Sequence, residues 1–193
     1  AHDLGHMLRV AHLAHHLALA EGADEETCVA GALLHDLVYR PKNHEESSQT
    51  ARMAAELVPR WCAETPGLES RAAAIASAVA SHSWSGGGEP DSLEASVVQD
   101  ADRLEALGAI GVARVFATGA SFGADLWHPE DPWAEGRDLD DKRWSLDHFE
   151  RKLLKLAAGM RTATGQRLAK TREEAMTAYL GALRAELSGE AGV

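Results

Sequence analysis

Leu33-Leu34-His35-Asp36-Leu37 sets an adjacent His-Asp pair at the end of an apolar helical run. A carboxylate beside an imidazole in such surroundings is costly to bury unpaired. Two further stretches read as its partners: His2-Asp3-Leu4-Gly5-His6 upstream and Gln99-Asp100-Ala101-Asp102-Arg103-Leu104 downstream. Neighbouring residues point about 100° apart around a helix, so His35 and Asp36 reach one ion only near a helix end or where the ion lies between the two directions. The reading is that His6, His35, Asp36 and Asp102 converge on one divalent metal ion. Two imidazoles and two carboxylates suit Mn2+, Fe2+, Co2+ or Ni2+ in six-coordinate geometry, or Zn2+ with fewer ligands; a pure Mg2+ site prefers oxygen alone. Such an ion keeps open positions for water and a substrate oxygen, and can polarise a phosphoryl group.

Outward from that pair the chain reads as helices. Residues 3–21 carry His6, Val10, Leu13 and Leu17 on one face, with Gly22 as a stop. Asp24 caps a second helix over about 25–40, whose face Cys28, Ala32, His35 leads from packed residues to the polar pair, and Pro41 ends it. A third runs from about 44 to 58 with Met53 and Leu57 inward, until Pro59 and Pro66-Gly67 break the pattern. A fourth covers about 68–81 with Ile75 and Val79 inward, and Ser83 to Pro90, with Gly86-Gly87-Gly88, is a turn-rich loop. Asp91-x-x-Glu94 resembles a capping box for the fifth helix, where Val98, Asp102, Ala106 and Ala109 share a face. Residues 118–144 are irregular, a length that is usually functional or disordered, though Trp127 and Trp133 are more simply read as pins holding it to the core. Ser145 caps a helix to about 158, and a last helix, about 166–187, carries Leu168, Met176, Leu180 and Leu183.

The expected fold is therefore all-α, a single-domain helical bundle over residues 1–188 with the metal site between helices. Its core spans about 3–117, its C-terminal helices about 145–187, and 189–193 is a tail. The 193 residues suffice for one sizeable core. A net charge of −11 argues against nucleic acid or an anionic membrane as partner, but not against a small phosphorylated substrate held by a metal and a few local cations. A homodimer is compatible with the sequence. Cys28 and Cys62 sit in apolar helical patterns and read as buried reduced thiols. No run approaches the roughly 18 apolar residues of a membrane span, and no signal-peptide pattern is present. The chain starts at Ala1 on the first motif itself, as expected of a trimmed chain, and a cytoplasmic location is the default.

The order His6, His35-Asp36, Asp102 resembles the H…HD…D signature of the HD-domain superfamily of metal-dependent phosphohydrolases. His2-Asp3-x-x-His6-x-x-Arg9-Val10, Ser81-His82-Ser83-Trp84-Ser85, Val98 to Gly111, Asp140-Asp141-Lys142-Arg143 and Asp147-His148-Phe149-x-x-Lys152-Leu153-Leu154-Lys155-Leu156 are similar to small stand-alone bacterial members of the YedJ and YpgQ type. The resemblance implies an all-α fold, His6, His35, Asp36 and Asp102 as metal ligands, and hydrolysis of a phosphate compound, commonly a nucleotide. Nucleoside-triphosphate pyrophosphohydrolysis with Mn2+ is the activity it favours; Asp36 and Asp102 would be the catalytic carboxylates. Where some pyrophosphate-cleaving relatives carry an acid, this chain has Val38, Tyr39 and Arg40, so the resemblance assigns no general acid or base. A nucleotide monophosphatase and a non-catalytic nucleotide-binding regulatory domain are the alternatives.

Candidate substrate-binding residues surround this set. Arg9 and Arg103 lie near ligands in sequence and could hold phosphate bidentately or pair with neighbouring acids. Lys42, His44 and His82 are candidates for phosphate contact, with surface placement as the bland alternative. Lys152 and Lys155 share a helical face, either a phosphate contact or an exposed basic stripe. Asp100 points away from Asp102 and reads as a cap or ion-pair partner. His12 and His16 form an i, i+4 pair without a nearby third ligand, which favours a solvated face.

Overall fold

Asp3 and Gly22 bracket the first helix and fix where His6 points. The computed structural model describes residues 3–40, 45–83 and 88–189. Helix α1 is Leu4–Glu21; Asp3 Oδ1 accepts from His6 N at 2.8 Å, and Gly22, at φ +76°, donates back to Ala18 O at 2.9 Å. His6, Val10, Ala14 and Leu17 form its buried stripe. Helix α2 is Glu25–Leu34, capped by Asp24 Oδ1 on Thr27 N at 2.8 Å. It stops well short of residue 40. The His35 ring turns back onto Ala32 O, and Leu37 N closes a tighter bond to Leu34 O at 3.2 Å, so the orphan carbonyls of the last turn are satisfied without further helix.

A 3-10 turn, Glu45–Gln49, leads into α3, Thr50–Ala63. This helix runs through Pro59 rather than ending before it. An interior proline costs about 3 kcal/mol; here Val58 and Cys62, one turn apart and both buried, hold the helical register on either side of it. The buried stripe is Ala51, Ala54, Val58 and Cys62, so Leu57, expected inward, is exposed, and Met53 is half-buried. Another 3-10 turn, Glu69–Arg71, precedes α4, Ala72–Ser81, with Ile75 and Val79 buried as the spacing predicts. Ala30, Ala54, Val58, Cys62, Ile75 and Val79 make one apolar cluster joining α2, α3 and α4.

Helix α5 is Leu93–Glu105. Its cap is Ser92, whose Oγ accepts from Ala95 N at 3.1 Å, and not an Asp91–Glu94 box. Asp91 instead accepts from Ser77 Oγ at 2.7 Å and Glu94 from Asp24 N at 3.1 Å. Close approach of α5 to α2 depends on Gly31: a Cβ there would stand 3.0 Å from Val98 Cγ2. His35 follows Gly31 by one turn, and Asp102 follows Val98 by one turn. The tight crossing thus brings the two functional side chains together at the same end.

Two compact units emerge. One comprises the chain up to Arg103 together with Arg161–Gly165; the other comprises Leu104–Met160 and the chain from Gln166 onward. In the first, Asp100 accepts from Arg161 N at 2.9 Å and from Thr162 N and Oγ1 at 2.8 Å each, tying the inserted segment to α5. In the second, α6 (Gly108–Ser121) starts afresh at Gly108, φ +72°, and Arg172 Nη1 caps Leu104 O. Ala106 and Ala109 therefore do not continue the face of Val98 and Asp102. Residues 124–148 carry no helix longer than a turn; an isolated Asp125–Trp144 bridge and a bidentate Arg137–Asp147 pair at 2.6 and 2.7 Å hold them. The Arg184 guanidinium lies 4.3 Å from the half-buried Trp133 ring, a surface cation–π contact rather than a core one. Ser145 is buried against Gly119 and its side chain caps nothing; helical structure begins at Asp147 and passes into a π turn, Phe149–Leu153, then α7 (Leu154–Leu156) and a 3-10 turn, Ala157–Gly159. The last helix, α8, is Ala163–Ser188. No strand occurs among the described residues, and no single helix among them is long and apolar enough to cross a membrane.

Candidate metal centre

Three helices of the first unit supply the site: His6 from α1, His35 and Asp36 from the C-terminus of α2, Asp102 from α5. His6 Nε2 and His35 Nε2 are 3.3 Å apart. Asp36 Oδ2 lies 3.5 Å from His6 Nε2 and 3.3 Å from His35 Nε2. Asp102 Oδ1 lies 3.7 and 3.8 Å from the same two nitrogens. The imidazoles are buried, each 1% exposed, whereas Asp36 and Asp102 retain 21% and 28%, so the site opens to solvent on its carboxylate side.

His35 Nδ1 donates to Ala32 O at 2.6 Å, which fixes the tautomer and leaves Nε2 with the lone pair. Two donors on an ion at about 2.1 Å stand about 3.0 Å apart at right angles and about 4.2 Å apart when opposite. Spacings of 3.3–3.8 Å fall between these limits. Two neutral nitrogens and two carboxylates leave a local charge that a divalent cation would cancel, so the residues fit the ion.

Electrostatics point the same way. Burial disfavours a charged His35, but its hydrogen bond to the Asp36 carboxylate and the charges of Asp102 and Asp36 outweigh it, and its pKa is pushed up to about 9. For Asp102 burial raises the pKa, yet His35 and His82 prevail and hold it below the usual carboxylate range. Burial, reinforced by the neighbouring His35, lowers His82.

His82 is buried at the end of α4, its ring centroid 4.9 Å from that of His35. Arg103 is also buried, within electrostatic reach of Asp100, Arg161 and Asp102. Arg9 is exposed on α1 and folds back over Gly5 towards Asp3. Asp100 serves as the cap described above. Lys152 is half-buried and Lys155 exposed; both belong to the second unit, where Lys155 Nζ donates to Arg151 O at 3.3 Å. Lys42 and His44 lie outside the described residues.

Sequence reasoning missed two supports. Gln99 Nε2 donates to Ser81 O at 2.7 Å, fastening the end of α4 to α5. Arg161 Nη2 pairs with Glu89 Oε2 at 2.6 Å and its Nε donates to Gln99 Oε1 at 3.3 Å. A polar Gln99 between apolar Val98 and Ala101 was the available signal.

Residues 3–107 match the HD domain family. The chain belongs to that family of metal-dependent phosphohydrolases. It is 31% identical over 193 residues to the uncharacterized protein YpgQ of Bacillus subtilis strain 168, covering 97% of this chain and 85% of that one. The crystal structure of Bacillus subtilis YpgQ in complex with ADP superposes with a TM-score of 0.74 at 31% identity, over 96% of this chain and 86% of the other. An HD-superfamily hydrolase from Bacillus thuringiensis gives a TM-score of 0.67 at 30% identity, over 97% and 87%.

Proposed function

We propose that the chain hydrolyses nucleoside triphosphates to the monophosphate and pyrophosphate, with His6, His35, Asp36 and Asp102 holding one divalent ion, Mn2+ by preference. The observation that carries this reading is the meeting of four donor side chains, with the carboxylates alone open to solvent. The ADP complex of YpgQ supports a nucleotide substrate. When bound, the ion supplies charge to neutralise phosphoryl oxygens and makes water a better nucleophile.

The protein residues supply the rest. His6 and His35 anchor the buried side and exclude water there. Asp36, beside both imidazoles and open to solvent, would help hold the ion and would also accept a proton from the reacting water. Arg103, within reach of Asp102, adds positive charge beside the phosphates, where charge spreads over equatorial oxygens in the transition state.

The test is a nucleotide panel with Mn2+ supplied and pyrophosphate and orthophosphate measured separately. Stoichiometric pyrophosphate from triphosphates is expected. Orthophosphate from monophosphates alone would instead make the chain a monophosphatase, and tight nucleotide binding without turnover would make it a sensor.

A further inference from the structure

We propose that Arg161 is a specificity residue of this site: its guanidinium binds the part of a nucleotide's phosphate chain that lies beyond the ion, and Glu89 occupies that guanidinium until the substrate displaces it. The inference rests on the nucleotide-hydrolase reading above and deepens it.

Arg161 belongs to the segment Arg161–Gly165, which packs with the helices of the metal centre in one compact unit. Two buried residues of α5 hold it. Asp100 fixes the backbone, its Oδ1 accepting from Arg161 N at 2.9 Å. Gln99 fixes the side chain, its Oε1 accepting from Nε at 3.3 Å. Both anchors precede Asp102 on α5 by less than one turn. Gln99 also donates through Nε2 to Ser81 O at 2.7 Å, so the same amide that orients Arg161 is tied to the end of α4.

The anchors are buried, but the guanidinium they hold is 38% exposed. Outward, Nη2 pairs with Glu89 Oε2 at 2.6 Å, and Nη1 has no hydrogen-bond partner among the described residues. Glu89 is 75% exposed. An ion pair so open to water contributes little, and its carboxylate yields to a stronger anion. A phosphate that replaces it meets a fork already oriented by Gln99, which favours a bidentate contact and lowers the entropy cost of forming it.

The neighbourhood selects the ligand. Arg103 lies within electrostatic reach of both Asp102 and Arg161. Two guanidiniums held near one another repel, and an anion shared between them relieves the repulsion. In a chain of net charge −11, a polyanion needs such local cations to settle. Three residues of helix set Gln99 about 4.5 Å along the α5 axis from Asp102. Arg103, next to Asp102, serves the phosphate at the ion, and the offset gives Arg161 the phosphates that follow. Arg161 thereby favours nucleoside di- and triphosphates over monophosphates.

The experiment is titration calorimetry of the full chain, loaded with Mn2+, against ADP and against AMP. Arg161→Gln keeps the backbone bond to Asp100 and removes the charge. It should weaken ADP binding by about tenfold or more and leave AMP binding and Mn2+ affinity unchanged. Glu89→Gln removes the competing carboxylate and should tighten ADP binding by about two- to fivefold. Unchanged ADP affinity in Arg161→Gln would overturn the proposal. Equal weakening of ADP and AMP would overturn it too, because that marks a residue that only supports the fold. Where Arg161→Gln fails to fold, Glu89→Gln decides, and unchanged or weaker ADP binding in it sinks the proposal. Failure of the underlying reading looks different: an unaltered chain that binds neither nucleotide loses the nucleotide-hydrolase reading and this inference together, whereas ADP binding indifferent to Arg161 loses the inference alone.

Discussion

The Nε2 atoms of His6 and His35 stand 3.3 Å apart, although 29 positions separate the residues in the chain. The Nδ1 bond to Ala32 O leaves His35 Nε2 as a lone pair in its neutral form. That lone pair faces the His6 ring, and Asp36 and Asp102 lie within 3.8 Å of both rings, so the pocket has negative potential. Only a cation relieves it, either a metal or a proton. The pKa of His35, pushed up to about 9, is the proton form of that demand.

Metal uptake should therefore release a proton. At pH 7 the ion-free chain holds His35 charged, and an entering divalent ion must displace that proton. Mn2+ affinity should rise about tenfold per pH unit from pH 7 towards 9, then level off. Titration calorimetry in two buffers of different ionisation enthalpy should report about one proton released at pH 7. The stability of the ion-free chain follows the same group with its own sign. A folded pKa above the ordinary 6.5 gives stabilisation that is complete below pH 6.5 and lost as pH rises through about 9. Affinity that stays flat between pH 7 and 9 would contradict this.

Removing a ligand should remove metal and chemistry together. Asp102→Ala deletes the proposed donor from α5, and His35→Ala deletes the imidazole shared by the two candidate donor groups, His6–His35–Asp102 and His35–Asp36–His82. Each should lower Mn2+ occupancy at one equivalent to background and turnover by about a hundredfold or more. Circular dichroism checks that the helices persist. Full turnover by either variant would reject the ligand assignment.

Much of the site could be read from the chain because its chemistry is local. His35-Asp36 stands out among Leu33, Leu34 and Leu37, and His6 falls on the apolar stripe with Val10 and Leu17. What escaped reading depends on contacts between distant segments. The end of α2 at Leu34 is set by a side chain bonding back to a carbonyl, while the apolar residues that follow suggest more helix. The break before Gly108 needs Arg172 at Leu104 O, across a gap of 68 residues. Ser145 has the residue type of a cap, but its hydroxyl is buried over Gly119 with no hydrogen-bond partner among the described residues. Proline at position 59 signals a stop, and only the packing of Val58 and Cys62 overrides it.

The cap of α2 should matter for stability and not for chemistry. Asp24 accepts from Thr27 N and from Arg71 Nε at 2.8 Å each, and these bonds hold its carboxyl well below the usual carboxylate range. Asp24→Ala should cost about 1 kcal/mol, chiefly from the lost cap; the half-exposed ion pair with Arg71 adds little after screening. A depressed folded pKa gives stabilisation that is present above the unfolded value near 3.8 and lost as pH falls below it. Urea unfolding at pH 7 should show the deficit, and at pH 3 the gap between the two proteins should narrow. An equal gap at both pH values would argue that the carboxylate charge is irrelevant.

The crossing of α2 and α5 should tune metal affinity from a distance. A Cβ at Gly31 would stand 3.0 Å from Val98 Cγ2 and 3.5 Å from Ala78 Cβ, so Gly31→Ala must push α5 outward by a few tenths of an ångström. Alanine gains up to about 1 kcal/mol of helix propensity over glycine, while overpacking costs about 1–3 kcal/mol. Net stability should therefore fall by about 0–2 kcal/mol. The site responds more strongly, because His35 and Asp102 lie one turn beyond the crossing and their donors must keep the 3.8 Å spacing. Mn2+ affinity should drop severalfold. Val98→Ala in the same chain removes the colliding methyl groups and should restore most of that loss, a coupling that two independent defects would not produce. Additive losses in the double variant would mean that the crossing does not set the distance between the two ligands.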